Sequence, residues 1–142
     1  MSISKFTIIF LLILLFGCKT QNQDRYHNED DQYKEIYLDQ FKLVYVKSLI
    51  RKCYNNSPSI ERILDEDKSG FTEPLLTTDD YELIDSLTTI DKNKIQKDSI
   101  LSIGRVAEGA EGKHIFTLLI TKIESSDLKK LAKTRYKLQK SR

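Results

Sequence analysis

Between Tyr33 and Tyr54 the apolar residues Ile36, Leu38, Phe41, Tyr45, Leu49, Ile50 and Cys53 return at helical spacing, and no glycine or proline interrupts them. A run of that length and period reads as one long amphipathic helix, whose inner face other elements must cover. The rest of the chain must therefore supply packing partners for a helix. Composition agrees with this demand: 39% hydrophobic residues, 31% charged, five glycines and two prolines exclude collagen-like, low-complexity and disulfide-dense chains. One hundred and forty-two residues make room for a single domain.

The apolar content is unevenly spread. Residues 1–17 have a short head with Lys5, an apolar run from Phe6 to Phe16 broken only by Thr7, and Gly17 directly before Cys18. Those are the parts of a secretory signal. The run is about half of the ~20 residues that a membrane-spanning helix needs, so it predicts export and not a spanning anchor. Leu15-Phe16-Gly17-Cys18 further resembles a bacterial lipobox, in which the cysteine takes a diacylglycerol thioether and becomes the mature N-terminus. Cys18 is the expected lipidation site, and the bacterial cell envelope, on the periplasmic side, the expected location; a plain exported or buried cysteine is the alternative. Residues 18–33 are almost wholly polar and read as a lipidated tether, with His27 and its acidic neighbours solvated. The predicted helical domain is 34–142.

Removal of the signal takes away Lys5 alone among the charged residues and leaves a formal charge of +1, which points to no nucleic-acid partner. With Cys18 acylated, Cys53 has no intramolecular partner. It reads as a small buried hydrophobe on the long helix, with an intermolecular bridge as the other possibility.

Asn55-Asn56-Ser57-Pro58 ends the first helix, and Ser57-Pro58 opens a short second one carrying Ile60, Ile63 and Leu64. Residues 65–70 read as a turn, and Phe71–Leu76 as irregular or the start of a short helix. Thr77-Thr78-Asp79-Asp80 caps a third helix marked by Tyr81, Leu83, Ile84, Leu87 and Ile90. Asp98 or Ser99 is the expected cap of a fourth, with Ile100, Ile103 and Val106 on one side, although its β-branched residues also fit a strand. Ile115, Phe116, Leu119, Ile120 and Ile123 form a fifth stripe. Ser125-Ser126-Asp127 caps a sixth helix with Leu128, Leu131, Ala132, Tyr136 and Leu138 inside. The expected fold class is all-α, a small bundle of about six helices without internal repeats.

Three segments have partial chemical signatures. Asp65, Asp67, Ser69 and Gly70 match the first half of a calcium loop, but the twelfth position is Leu76, which cannot supply the two oxygens that close the calcium shell. A solvated acidic turn available to a partner is the better account, and no metal site is expected. Gly112-Lys113 sits before a helix as in a phosphate-binding loop, but His114 replaces the Ser or Thr that holds magnesium. His114 is the only histidine after residue 33, and no nucleophile stands in a recognisable catalytic context. The chain is therefore expected not to be an enzyme and to need no cofactor; a binding or structural role remains.

The first helix ending in Lys52-Cys53-Tyr54-Asn-Asn-Ser-Pro, and the stretch from Gly112 to Lys133 with Ser125, Leu128 and Leu131 opening the last helix, resemble the type VI secretion system amidase immunity protein family. The resemblance covers about half of the expected domain. It implies a small, exported, all-helical inhibitor that binds a peptidoglycan-cleaving amidase in the periplasm and occludes its active-site cleft, commonly as a homodimer. The family's cysteine pair is not matched here: Cys53 stands in the first helix, but Thr121 and its neighbours occupy the penultimate one. The implied function is an envelope-anchored immunity protein. A structural or binding lipoprotein without an effector partner is the alternative, and a calcium-responsive module a third. Occlusion needs a protruding segment with a rigid base and a buried anchor. On that ground Asp65, Glu66, Asp67 and Phe71 are the expected partner-binding residues, with the Gly104–Gly112 segment and His114 as the rival surface.

Overall fold

The computed structural model describes the backbone of residues 20–70, 73–107 and 109–141, and the side chains from Glu29 onward in those segments. Cys18, the signal, Phe71 and Thr72 lie outside the described residues. The described chain is all-helical, without a strand, and holds five helices: α1 (Thr20–Cys53), α2 (Pro58–Glu66), α3 (Thr78–Ser102), α4 (Ile115–Glu124) and α5 (Ser126–Lys140). The chain divides into two units, Met1–Glu35 and Ile36–Arg142.

Two elements differ from the sequence expectation. First, α1 begins at Thr20, so the backbone of the polar segment expected as a tether is helical. Glutamine, glutamate, lysine and arginine are good helix formers, and nothing from Thr20 to Cys53 breaks the ladder. Second, the expected third and fourth helices are one continuous helix of 25 residues. Asp98 and Ser99 lie inside it and cap nothing. The first true stop is Gly104, which takes a left-handed φ of 67° just past the helix end, and that glycine accommodates most cheaply.

The other boundaries follow local chemistry. Asn55 and Asn56 turn α1 off with left-handed φ values of 54° and 51°, and Pro58 opens α2 behind Ser57. At the start of α3 the backbone N–H and the hydroxyl of Thr77 both donate to Asp80 Oδ2, at 2.9 and 2.8 Å, closing a capping box. Ser125 joins α4 to α5 in an extended conformation.

The core is built on α1. Tyr37, Leu38, Phe41, Tyr45, Leu49 and Cys53 are buried, against Ile84 and Ile95 of α3, Ile115 and Leu119 of α4, and Leu128 and Ala132 of α5. Tyr37 belongs to this core although the apolar spacing assigned Ile36 instead. Several expected core positions face solvent: Ile63, Tyr81, Ile90, Ile100, Phe116, Ile120, Ile123 and Leu138. On α4 a wide apolar stripe meets only one covering surface, so half of it stays outside.

Polar ties lock the helices in register. Ser48 and Thr88 share a hydrogen bond of 3.0 Å between α1 and α3, and Lys52 reaches the Asp85 carboxylate at 2.7 Å. Lys113 Nζ donates to the Cys53 carbonyl at 2.7 Å. That carbonyl is one of those a helix end leaves without an intrahelical partner, so the lysine closes α1 electrostatically and by hydrogen bonding.

Candidate functional site

The acidic segment that closes α2 folds back on α1; the helix runs on through Asp65 and Glu66, which the sequence reading placed in a turn, and the turn itself begins at Asp67. Lys47 Nζ lies 3.1 Å from Asp67 Oδ2, and the Arg51 guanidinium 3.9 Å from Asp65. Asp67 Oδ1 also accepts the Ser69 backbone N–H and hydroxyl, at 3.0 and 2.6 Å. These hydrogen bonds from Ser69, joined by Lys47, hold the Asp67 carboxyl down at a pKa of about 2. Gly70 adopts φ 74°, and a Cβ there would collide with the Leu43 side chain. The turn thus has a rigid base, while its carboxylates at Asp65 and Asp67 are engaged with α1 and only Glu66 is left without such a tie. No group of three or more His, Cys, Asp or Glu side chains converges as a metal site among the described residues.

The glycine-lysine segment before α4 does not form a phosphate cradle. No strand precedes it among the described residues, and its lysine is the one that closes α1. His114 is exposed, its Nε2 3.0 Å from the Ala110 carbonyl. Cys53 is buried beside a cavity of about 70 Å³ lined with Lys92 and Lys113. Burial pushes its thiol pKa up, against the pull of those two lysines, so the thiolate is scarce and the sulfur a poor nucleophile.

Sequence reading missed the two buried carboxylates of α3. Asp80 is 1% exposed and its Oδ1 lies 2.7 Å from Arg135 Nε of α5. Burial opposes its ionisation, but hydrogen bonds from the Thr77 backbone, Arg135 and the Thr77 hydroxyl prevail and keep its pKa below the usual carboxylate value. The Tyr37 hydroxyl is enclosed beside this pair yet closes no hydrogen bond of proper geometry. Burial, then the Asp80 charge, push its pKa far up. Asp91 is the second buried acid: its Oδ2 accepts the Tyr45 hydroxyl at 2.6 Å and faces Lys122 Nζ at 3.0 Å.

Asp91 and Lys122 line a groove of about 280 Å³ between α3, α4 and the start of α5. A neighbouring groove of about 290 Å³, lined by Lys94, Asp98, His114, Thr117 and Thr121, shares Thr121 and Lys122 with it. The signal that could have located this arrangement is in the heptad-like face of α3, where Asp80, Thr88 and Asp91 interrupt Ile84 and Ile95 on the buried side. Beside the groove, the outer face of α4 carries Phe116, Ile120 and Ile123 at 64%, 56% and 44% exposure. These residues sit at i, i+4 and i+7 and form one stripe.

Known protein families, characterised proteins and solved structures yield no significant match to this chain.

Proposed function

We propose that this chain is a lipid-anchored, non-catalytic binding protein of the bacterial envelope, and that its partner is a peptidoglycan-cleaving amidase whose cleft it occludes. The observation that carries the binding reading is the α4 stripe. Phe116, Ile120 and Ile123 are exposed on a short helix with a satisfied inner face, within the stretch that resembles the immunity family. Aromatic and aliphatic anchors of that kind supply most of the energy of protein interfaces. The Asp65–Asp67 turn stays a secondary contact, since its carboxylates already serve α1. The export signal and Cys18 support the envelope placement, and among the described residues no helix is long and apolar enough to cross a membrane.

The test is capture from envelope extract by a photo-crosslinker placed at Ile120, followed by affinity measurements with the captured protein. Phe116→Ala is expected to weaken binding by ~30-fold or more, the loss of a ~2 kcal/mol anchor, without changing the circular dichroism. Capture of a partner other than a peptidoglycan amidase would leave the envelope-binding reading and remove the immunity one. A stripe that closes on a second copy, seen as a Phe116-dependent dimer in sedimentation, would favour the structural lipoprotein. Mass spectrometry of the mature N-terminus checks the anchor: acylated Cys18 is expected, and an unmodified Cys18 retained in the mature chain would overturn it.

A further inference from the structure

The net charge of +2 conceals a strong separation along the chain. Residues 18–91 carry 9 Lys and Arg against 16 Asp and Glu, whereas residues 92–142 carry 13 against 5. The excess is densest in α5, where no acid occurs after Asp127. Helical spacing gathers Lys129, Lys130, Lys133, Lys137 and Lys140 on one side of α5, opposite the buried Leu128 and Ala132, and all five are exposed. Lys130 has only a loose contact with Asp127 at 3.9 Å. The carboxylates of α3 that α5 meets, Asp79 and Asp80, lie against Arg135 on its inner side, away from Lys129, Lys133 and Lys137.

The C-terminal turns of α5 also lie at the end of the unit where the chain enters it. Tyr136 packs its ring 5.3 Å from that of Tyr37, the second residue of the unit, and Gln139 Nε2 donates to the Leu75 carbonyl at 3.1 Å.

We propose that the lysine row of α5 rests on the anionic headgroups of the bilayer that holds the lipid on Cys18. The idea rests on that anchor reading. A lipid on Cys18 holds the chain at the bilayer without selecting which face of the Ile36–Arg142 unit meets it; a row of lysines near an anionic surface supplies the second attachment, each contributing about a fivefold preference. The row thereby sets which faces of the domain point away from the membrane, and it does so in proportion to surface charge.

The full mature chain, reconstituted in vesicles, tests this. A nitroxide is attached at Ser141→Cys, beyond the last lysine, and in a parallel protein at Ser59→Cys on α2; Cys53 is buried and stays unlabelled. With phosphatidylglycerol in the vesicles, the label at position 141 is expected to contact the headgroup layer and the one at 59 to stay in water. In vesicles of phosphatidylcholine alone, or in about 1 M salt, where screening acts within about 3 Å, the contact at 141 should be lost. Lys129→Gln/Lys133→Gln/Lys137→Gln should shift the balance toward the free orientation by roughly a hundredfold with circular dichroism unchanged. Equal contact in charged and neutral vesicles, or contact that survives the triple substitution, would overturn the proposal. The same mass spectrum that reads acylation of Cys18 separates the two ideas: an unacylated chain sinks the anchor, and the comparison of the two vesicle types still decides the lysine row. Preference of the row for an acidic protein over phosphatidylglycerol vesicles would also count against it.

Discussion

Two buried tyrosines of α1 show how the same side chain has opposite energetic meaning in two places. The Tyr45 hydroxyl donates to Asp91 at 2.6 Å, and the charge of that carboxylate makes the bond a strong one. The Tyr37 hydroxyl is fully enclosed and, although Asp80 and Arg135 lie beside it, meets neither at good hydrogen-bond geometry, so its desolvation is less completely compensated. Tyr45→Phe should therefore cost about 1.5–3 kcal/mol, whereas Tyr37→Phe should be neutral or stabilising by up to ~1 kcal/mol. Urea midpoints of the two variants measure the contrast directly. A Tyr37→Phe variant destabilised as much as Tyr45→Phe would mean that the Tyr37 hydroxyl has a partner in solution.

At the scale of elements, α4 and α5 are held by apolar contacts of unequal depth. Leu119 is 4% exposed and touches the common core, while Leu131 is half-buried at the groove beside Asp91 and Leu128. The sequence pattern assigns both leucines to inner faces and cannot rank them. Leu119→Ala should cost ~3–4 kcal/mol, since little can collapse into the space beneath α1, and Leu131→Ala ~1–2 kcal/mol because water already reaches the site. Chemical denaturation of the two variants in parallel would decide; equal losses would show that the groove is closed in solution. The length of α3 has the same kind of cause. Its two sequence patterns join because Ile95 reaches the core beneath Cys53 and no glycine lies between Ile90 and Ser102.

For the whole molecule, the Asp80–Arg135 pair matters most, because it ties the start of α3 to α5 across 55 residues of chain. Asp80 has a folded-state pKa below its ordinary value of 3.8. Its contribution to stability is therefore present above pH ~4 and is lost as the pH falls through the lower folded value. The urea midpoint should be flat near neutrality and drop below about pH 4. Asp80→Asn keeps the size of the side chain but removes the charge that Arg135 faces at 2.7 Å, leaves it Asp79 at 3.7 Å, and weakens the capping box. It should cost roughly 3 kcal/mol at pH 7 and flatten the acid limb of the profile. An unchanged slope below pH 4 would assign the acid sensitivity to other carboxylates.

Which parts of the structure were legible in advance follows from range. Helix starts and stops at Asn55-Asn56-Ser57-Pro58, Thr77 and Ser125 depend on contacts within three or four residues, so the sequence alone determined them. It also determined the all-helical class, through a period that continues for more than five turns in α1, and the dominance of Phe41, Tyr45, Leu49 and Cys53 in the core. The site was less legible. The Asp65–Asp67 segment reads as an open acidic loop until Lys47 and Arg51 of α1 are seen to take its charges. Phe116, Ile120 and Ile123 look like core until the fold shows that none of the described residues covers their side of α4. Asp80, Asp91 and Lys122 look like ordinary surface charges until packing removes water from two of them and aims a cation at each. Burial is a property of the neighbours a residue acquires from distant parts of the chain, and hydrophobic spacing cannot count those neighbours. Only the tertiary structure decided which apolar residues stayed outside and which charges went in.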